Sequence, residues 1–362
     1  MRPIDSGLQF KHTHSNDLFT VLEKIIATSN QAIIVVDEMM RICAANAVAA
    51  EAFSKNSLPL KNRRLTEVFR DLYLNDAFRL ALSEKKRTNL RLEINSLAVS
   101  RLFDVSVNGF DLAGQKLAIG YFQDVTEIER LEKARREFLS NISHELRTPL
   151  TSIMAFVETL EAGAIDDPEN NKRFISVIRR NAERMNALLS DILELSYIES
   201  GNISINKVSV HLSRLVAEIF DNLSSKAETK QVTLLNEVDS EYRILADPGR
   251  LEQMLTNLID NAIKFNRDGG KVTVSAFFEN RRAKVSVTDT GDGILPEHLP
   301  RIFERFYRAD RSRSAEIGGT GLGLAIVKHL AKLSGGEVIA TSELGRGSTF
   351  TLDFPADIKY PD

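Results

Sequence analysis

The chain has 362 residues, 43% of them hydrophobic and 27% charged, with a net charge of −3. That length accommodates two or three domains, each able to bury its own core, and the near-neutral balance argues against broad electrostatic binding to nucleic acid. One cysteine, Cys43, excludes an internal disulfide framework and a cysteine-rich metal site.

Residues 1–17 are polar and read as a flexible segment. They carry Asp5, Lys11 and Asp17 and have no apolar core, so they are not a secretory signal. No window approaches the roughly 18 uninterrupted apolar residues of a membrane span. The expected compartment is the cytoplasm, although a membrane-anchored protein cut before residue 1 would read the same. Residues 18–29 have helical spacing, and 31–37 (QAIIVVD) form an apolar strand pattern. Residues 46–53 and 66–82 read as helices, and 90–94, 101–107 and 116–124 as alternating strands. Together, residues 18–127 predict an α+β domain.

From residue 125 to 160 helix signals dominate. Leu139, Leu146, Ile153 and Leu160 fall seven apart, with Ile142, Leu150 and Val157 between them, close to a heptad stripe. Gly163 and Pro168 mark a break over 161–170, and a second amphipathic helix follows at 172–197. Two antiparallel helices do not cover each other's stripes completely. Pairing two hairpins into a four-helix bundle solves this, so a homodimer is expected from residues 128–202. Beyond Gly201, helices at 211–228, 247–265 and 322–333 mix with strands at 231–238, 271–278, 284–289, 337–342 and 348–354. Residues 203–362 thus read as an α/β domain, and the whole chain as a multidomain α+β protein.

Within residues 138–150 (FLSNISHELRTPL), His144 lies about 200° around the helix from both Ile142 and Leu146, so it points away from the apolar stripe. Thr148 is one turn on along the same face, and Pro149 is expected to bend the helix. A neutral imidazole is a competent nucleophile, and an adjacent carboxylate, Glu145, is placed to accept its proton. Taken alone, such a residue is more commonly a solvated surface histidine.

In the third domain, Asn257 and Asn261 are four apart in NLIDNAIKF, with Lys264 one turn further. Two amides and a cation on one face suit a hydrated Mg²⁺ and a phosphate chain, or simply a polar helix surface. DTGDG at 289–293 closes a strand with a carboxylate that can accept from an exocyclic amine, beside glycines that admit a flat base. GGTGLG at 318–323 runs straight into an apolar helix, a pattern that gathers free N–H groups for an anion. GRGST at 345–349 reads as a hairpin turn.

In this fixed order the four segments resemble the N, G1, G2 and G3 boxes of the histidine kinase catalytic domain, a branch of the Bergerat-type ATPases. FERFYR at 303–308 resembles the F box, and NISHELRTPL the H box of the dimerisation and phosphoacceptor domain. Residues 18–127 resemble a PAS sensor, with DVT at 124–126 like that family's exit into a coiled helix. The resemblance implies a sensor histidine kinase that uses ATP and Mg²⁺. His144 would be the phosphoacceptor, Glu145 its base, and Thr148 would position water in a phosphatase reaction. Asn261 would ligate Mg²⁺, and Asn257 and Lys264 would contact phosphates. Asp289 would read the adenine amine, with Gly291 and Gly293 shaping its pocket. Gly319, Gly321 and Gly323 would form the hinge and cradle of a lid over about 295–320. Relatives that hydrolyse ATP for mechanical work carry a glutamate where Asn257 stands, so the resemblance favours transfer to a side chain over hydrolysis.

Only a few residues follow the last strand, so the expected phosphoryl acceptor is an aspartate on a separate response regulator. The coil over 125–140 would carry a signal from sensor to histidine. The interval from His14 to His144 holds no histidine for haem, and Cys43 (RICAAN) does not resemble the flavin-adduct motif, so neither cofactor is expected. A small metabolite or a protein partner remains as the signal. The competing readings are an inert dimeric scaffold or ligand-binding module and an ATP-driven mechanical protein.

Overall fold

The computed structural model describes residues 18–54, 58–95, 100–200, 204–309 and 319–355. The expected flexible segment 1–17, and residues 310–318 of the expected lid, lie outside them. The chain divides into two compact units, Met1–Arg136 and Glu137–Asp362.

In the first unit, helix α1 (residues 18–27) precedes β1 (Ala32–Val36) and β2 (Ile42–Ala45). Short helices α2 (Ala47–Phe53), α3 (Leu65–Val68) and α4 (Leu72–Glu84) follow, then β3 (Thr88–Asn95), β4 (Ser100–Leu112) and β5 (Gln115–Asp124). The five strands pair antiparallel in the order β2-β1-β5-β4-β3. Phe53 sits at the centre of the core, with ring centroids 4.9, 5.2 and 5.0 Å from Phe69, Phe103 and Phe122. Asn46 is buried yet fully partnered. Its Oδ1 accepts from Ile33 N and Ala49 N, capping α2, and its Nδ2 donates to the carbonyls of Ile26 and Gln31.

The single helix expected over 66–82 is two helices. Asp71 accepts from Leu74 N as the cap of α4, and Asn75 Nδ2 donates back to the carbonyls of Phe69 and Asp71. These local bonds satisfy backbone groups that a continuous helix would have used, and they let Phe69 turn into the core, stacked on Phe122 at 5.5 Å. Strand β2 was not expected. Its four residues are too short a run to show a period, and β1 recruits them through register rather than propensity.

The second unit begins inside α5 (Thr126–Glu161), which continues unbroken past Pro149. The proline therefore does not end the helix, although it leaves the Glu145 carbonyl without its amide donor. A 3₁₀ turn (Ala164–Asp166) leads to α6 (Asn171–Glu199). The two helices run antiparallel: Glu145 meets Arg184, Ser152 meets Asn181 and Phe156 meets Phe174. Much of their apolar stripe stays uncovered within one chain, with Leu139, Leu150, Leu189 and Leu193 all about half exposed.

Strand β6 (Val208–His211), α7 (Leu212–Thr229), β7 (Thr233–Asn236), β8 (Arg243–Ala246) and α8 (Pro248–Lys264) come next. Then follow β9 (Lys271–Glu279), β10 (Arg282–Asp289), a helix here named α9 (Gly323–Leu333), β11 (Glu337–Glu343) and β12 (Gly347–Pro355). The main sheet has the order β11-β12-β10-β9-β7, antiparallel except for the parallel pair β7–β9. Helix α8 lies between α7 and α9, and all three pack on this sheet and share one core with it. The small sheet β6–β8 was not expected; each strand is four residues long. Among the described residues, no helix is long and apolar enough to cross a membrane.

Candidate functional site

His144 lies on the exposed face of α5, and its side chain makes no hydrogen bond or ion pair among the described residues. Thr148, four residues on, donates from its hydroxyl to the His144 carbonyl at 3.2 Å. Glu145 faces the partner helix, where Arg184 Nη2 donates to its carboxylate at 3.1 Å. The heptad register explains all three positions. Burying Leu146 and Pro149 inward turns His144 and Thr148 out and leaves Glu145 at the seam between the helices.

The register of α8 does the same for the second group. Leu251, Met254, Leu255, Leu258, Ile259, Ala262 and Ile263 are buried at helical spacing. Asn257, Asn261 and Lys264, at i, i+4 and i+7, are left as a half-buried polar stripe. Asp247 caps the helix, accepting from Arg250 N at 3.1 Å, and Pro248 supplies the preset first turn. Neither Asn257 nor Asn261 spends its side-chain amide on a hydrogen bond among the described residues. Lys264 is ion-paired with Asp260, which also holds Lys226 at 2.7 Å. Burial alone would raise the Asp260 carboxyl, but the two lysines outweigh it and hold it below the usual range.

Asp289 ends β10 and is 7% exposed. Its Oδ1 accepts from Gly291 N at 2.8 Å and from Ser348 N at 3.3 Å. Burial nevertheless pushes this carboxyl above its ordinary range, against those two donors. A cavity of about 340 Å³ opens beside it, lined by Thr288, Asp289, Ser342, Glu343, Ser348 and Thr349 among others. Gly291 and Gly293 adjoin this cavity rather than line it. Their role is close backbone approach: a Cβ on Gly291 would lie 2.3 Å from the Phe265 carbonyl oxygen, and one on Gly293 2.2 Å from that of Glu343.

The glycine-rich loop joins these groups. Gly323 opens α9 with its Cβ position 3.1 Å from Asn257 Oδ1, so the loop lies against the amide stripe. Gly321 takes φ +71° against the Phe306 backbone, and its carbonyl accepts from Phe306 N at 2.9 Å. Gly319 takes φ +146° with open space around it. The structure thus brings Asn257 and Gly323 into contact and ties the loop to the aromatic segment at 303–308.

Several residues that sequence reasoning did not single out complete the arrangement. Gly347 and Ser348 brace Asp289: a Cβ on Gly347 would meet the Asp289 carbonyl oxygen at 2.0 Å. The GRGST segment was the available signal, without a way to say which of its residues mattered. From α6, Asp191 accepts from the Thr320 hydroxyl at 2.6 Å, Glu194 pairs with Arg250, and Glu199 pairs with Arg305. Burial raises the Asp191 carboxyl, while Thr320 and the Lys264 charge oppose it. Phe138 of α5 packs on Phe306 at 5.7 Å. These contacts link segments far apart in sequence, where no local pattern announces them.

Comparison with known proteins gives the family. Residues 134–201 match the model of the His Kinase A (phospho-acceptor) domain, and residues 246–358 that of the histidine kinase-, DNA gyrase B- and HSP90-like ATPase. The sensor-like histidine kinase SenX3 of Mycolicibacterium smegmatis is 33% identical over 318 residues, covering 85% of this chain and 82% of that protein. The sensor histidine kinase WalK of Bacillus subtilis is 37% identical over 239 residues, covering 66% of this chain but only 39% of that protein. The crystal structure of histidine kinase ThkA in complex with the response regulator protein TrrA superposes with a TM-score of 0.50 at 25% identity, covering 92% of this chain and 98% of that one. The chain belongs to the sensor histidine kinases of two-component systems. It is a protein-histidine kinase with an ATP-binding domain.

Proposed function

We propose that this kinase transfers the γ-phosphoryl group of ATP to His144 and from there to an aspartate on a separate response regulator. The observation that carries the reading is the joint presence, in one compact unit, of an exposed, uncommitted imidazole and a cleft whose phosphate end presents amides rather than a water-activating carboxylate. A ring nitrogen of His144 attacks the γ-phosphorus, the bond to the β–γ bridging oxygen breaks, and ADP leaves. Glu145, steadied by Arg184, accepts the imidazole proton. Asp289 accepts from the adenine amine, Gly291 and Gly293 let the loop close beside it, and Asn257 and Lys264 meet the phosphates. Gly319, Gly321 and Gly323 form the hinge and cradle of the lid. The free amide of Asn261 suits Mg²⁺, which would neutralise phosphate charge when bound. In the second step a regulator carboxylate attacks the phosphorus of the phosphohistidine and breaks the P–N bond. In a phosphatase reaction Thr148 positions a water that attacks the phosphorus of the regulator's aspartyl phosphate, breaking its P–O bond and releasing inorganic phosphate.

The half-exposed apolar stripe of α5 and α6 supports a homodimer built as a four-helix bundle. The crystal structure of ThkA in complex with the response regulator protein TrrA supports that class of partner. Residues 18–127 serve as a PAS-like sensor for a small molecule or protein signal, passed along the coil over 125–140; this reading calls for no haem or flavin. The proposed domain boundaries are 18–127, 128–202 and 203–362, and the proposed compartment is the cytoplasm.

The test is site mapping after incubation with γ-labelled ATP and Mg²⁺. We expect an acid-labile, alkali-stable label on the peptide containing His144, absent from His144→Gln and strongly reduced in Asn261→Ala. Equal labelling of His144→Gln would contradict the assignment.

A further inference from the structure

The two ends of the proposed nucleotide cleft are carried by different elements. The amide and cation stripe lies on α8, and Asp289 lies at the end of β10. A nucleotide must meet both at once, so their separation is part of the recognition. One buried side chain spans the gap. Asn266, just beyond α8, is 6% exposed. Its Nδ2 donates to the Lys271 carbonyl at 3.0 Å, and its Oδ1 accepts from Arg267 N at 3.1 Å and from the Thr290 hydroxyl at 3.3 Å. Thr290 is the residue after Asp289. Its hydroxyl also accepts from Lys271 N at 2.9 Å, and its own N–H donates to the Lys271 carbonyl at 3.1 Å. Two neighbours lock the bracket in place. The Lys230 ammonium donates to the carbonyls of Lys264 and Asn266, satisfying the open C-terminal end of α8. Asp292 N donates to the Phe265 carbonyl at 3.4 Å.

We propose that Asn266, acting with Thr290, is a positioning residue for the nucleotide: it sets the spacing between the phosphate-facing stripe of α8 and the adenine-facing end of β10. It touches neither end of the ligand itself. The proposal rests on the reading that this cleft binds ATP. The side-chain amide is buried and the hydroxyl half-buried, and each both donates and accepts. Loss of either therefore leaves a partner unsatisfied and lets the two elements drift apart. A ligand that uses one end tolerates that drift, whereas a ligand that must bridge both does not.

The experiment titrates full-length Asn266→Ala, Thr290→Val and Thr290→Ser with ATP plus Mg²⁺ and, separately, with adenosine. Asn266→Ala and Thr290→Val should weaken ATP about tenfold and leave adenosine within about twofold, while Thr290→Ser, which keeps the hydroxyl, should match wild type. In autophosphorylation the loss should appear in KM for ATP with kcat nearly unchanged. Should Asn266→Ala fail to fold, Thr290→Val reads the same bond from its other side. Equal losses for ATP and adenosine, no loss of ATP affinity, or a Thr290→Ser variant as weak as Thr290→Val would overturn the proposal. Failure of the wild-type chain to bind ATP would instead remove the reading of the cleft on which it rests.

Discussion

In its proposed role Asp289 accepts from an adenine amine most strongly as the carboxylate, yet its burial favours the neutral form. A raised folded-state pKa means that the group's contribution to stability is present at low pH and is lost as pH rises through the folded value. Two outcomes follow. ATP affinity should begin to fall on acidification at a pH above the ordinary aspartate value of about 4, as titration calorimetry across pH would show. Asp289→Asn should weaken ATP about 10- to 100-fold and abolish that pH dependence, while the melting temperature of the unliganded protein at neutral pH holds or rises. Individual site residues were legible in the sequence where the chemistry restricts the choice of side chain. An outward histidine, paired amides and a strand-ending aspartate each carry a local pattern. Asp191 carried none, because its significance lies in reaching Thr320, 129 positions away.

The long helices were read closely because their apolar spacing repeats over many turns, and α8 and α9 because caps and glycines mark their ends. Several of the shortest elements were not. Strands β2, β6 and β8 have four residues each, and α3 is one turn long, so tertiary pairing decides them. The register of α5 matters for signalling, since its heptad phase turns His144 outward. Inserting four residues after Arg136 shifts that phase by about half a heptad. Autophosphorylation should then become locked high or low and insensitive to changes in the sensor; unchanged regulation would count against a helical signal path. On the same helix pair, Arg184→Met removes the partner of Glu145. It should lower kcat for autophosphorylation while leaving KM for ATP near wild type, and steady-state kinetics would reveal the split.

At the scale of the molecule, half-exposed leucines along α5 and α6 form a surface that a single chain does not cover. Leu189→Asp with Leu193→Asp should convert a dimer to a monomer in sedimentation experiments. The ATP-binding half is meanwhile held against α6 by Glu194–Arg250 and Glu199–Arg305, pairs that are about two-thirds buried or more. Such pairs contribute about 1 kcal/mol or less each. The double variant Glu194→Gln, Glu199→Gln should loosen that half and change the basal autophosphorylation rate by up to about tenfold, with a smaller effect at high salt. The proposed chemistry requires the cleft to deliver phosphoryl to a side chain and not to water. The most direct measurement follows, in one reaction with γ-labelled ATP and Mg²⁺, the label retained on protein and the free phosphate released. Acid-labile protein label should accumulate ahead of free phosphate; rapid phosphate release with unlabelled protein would overturn transfer to a side chain.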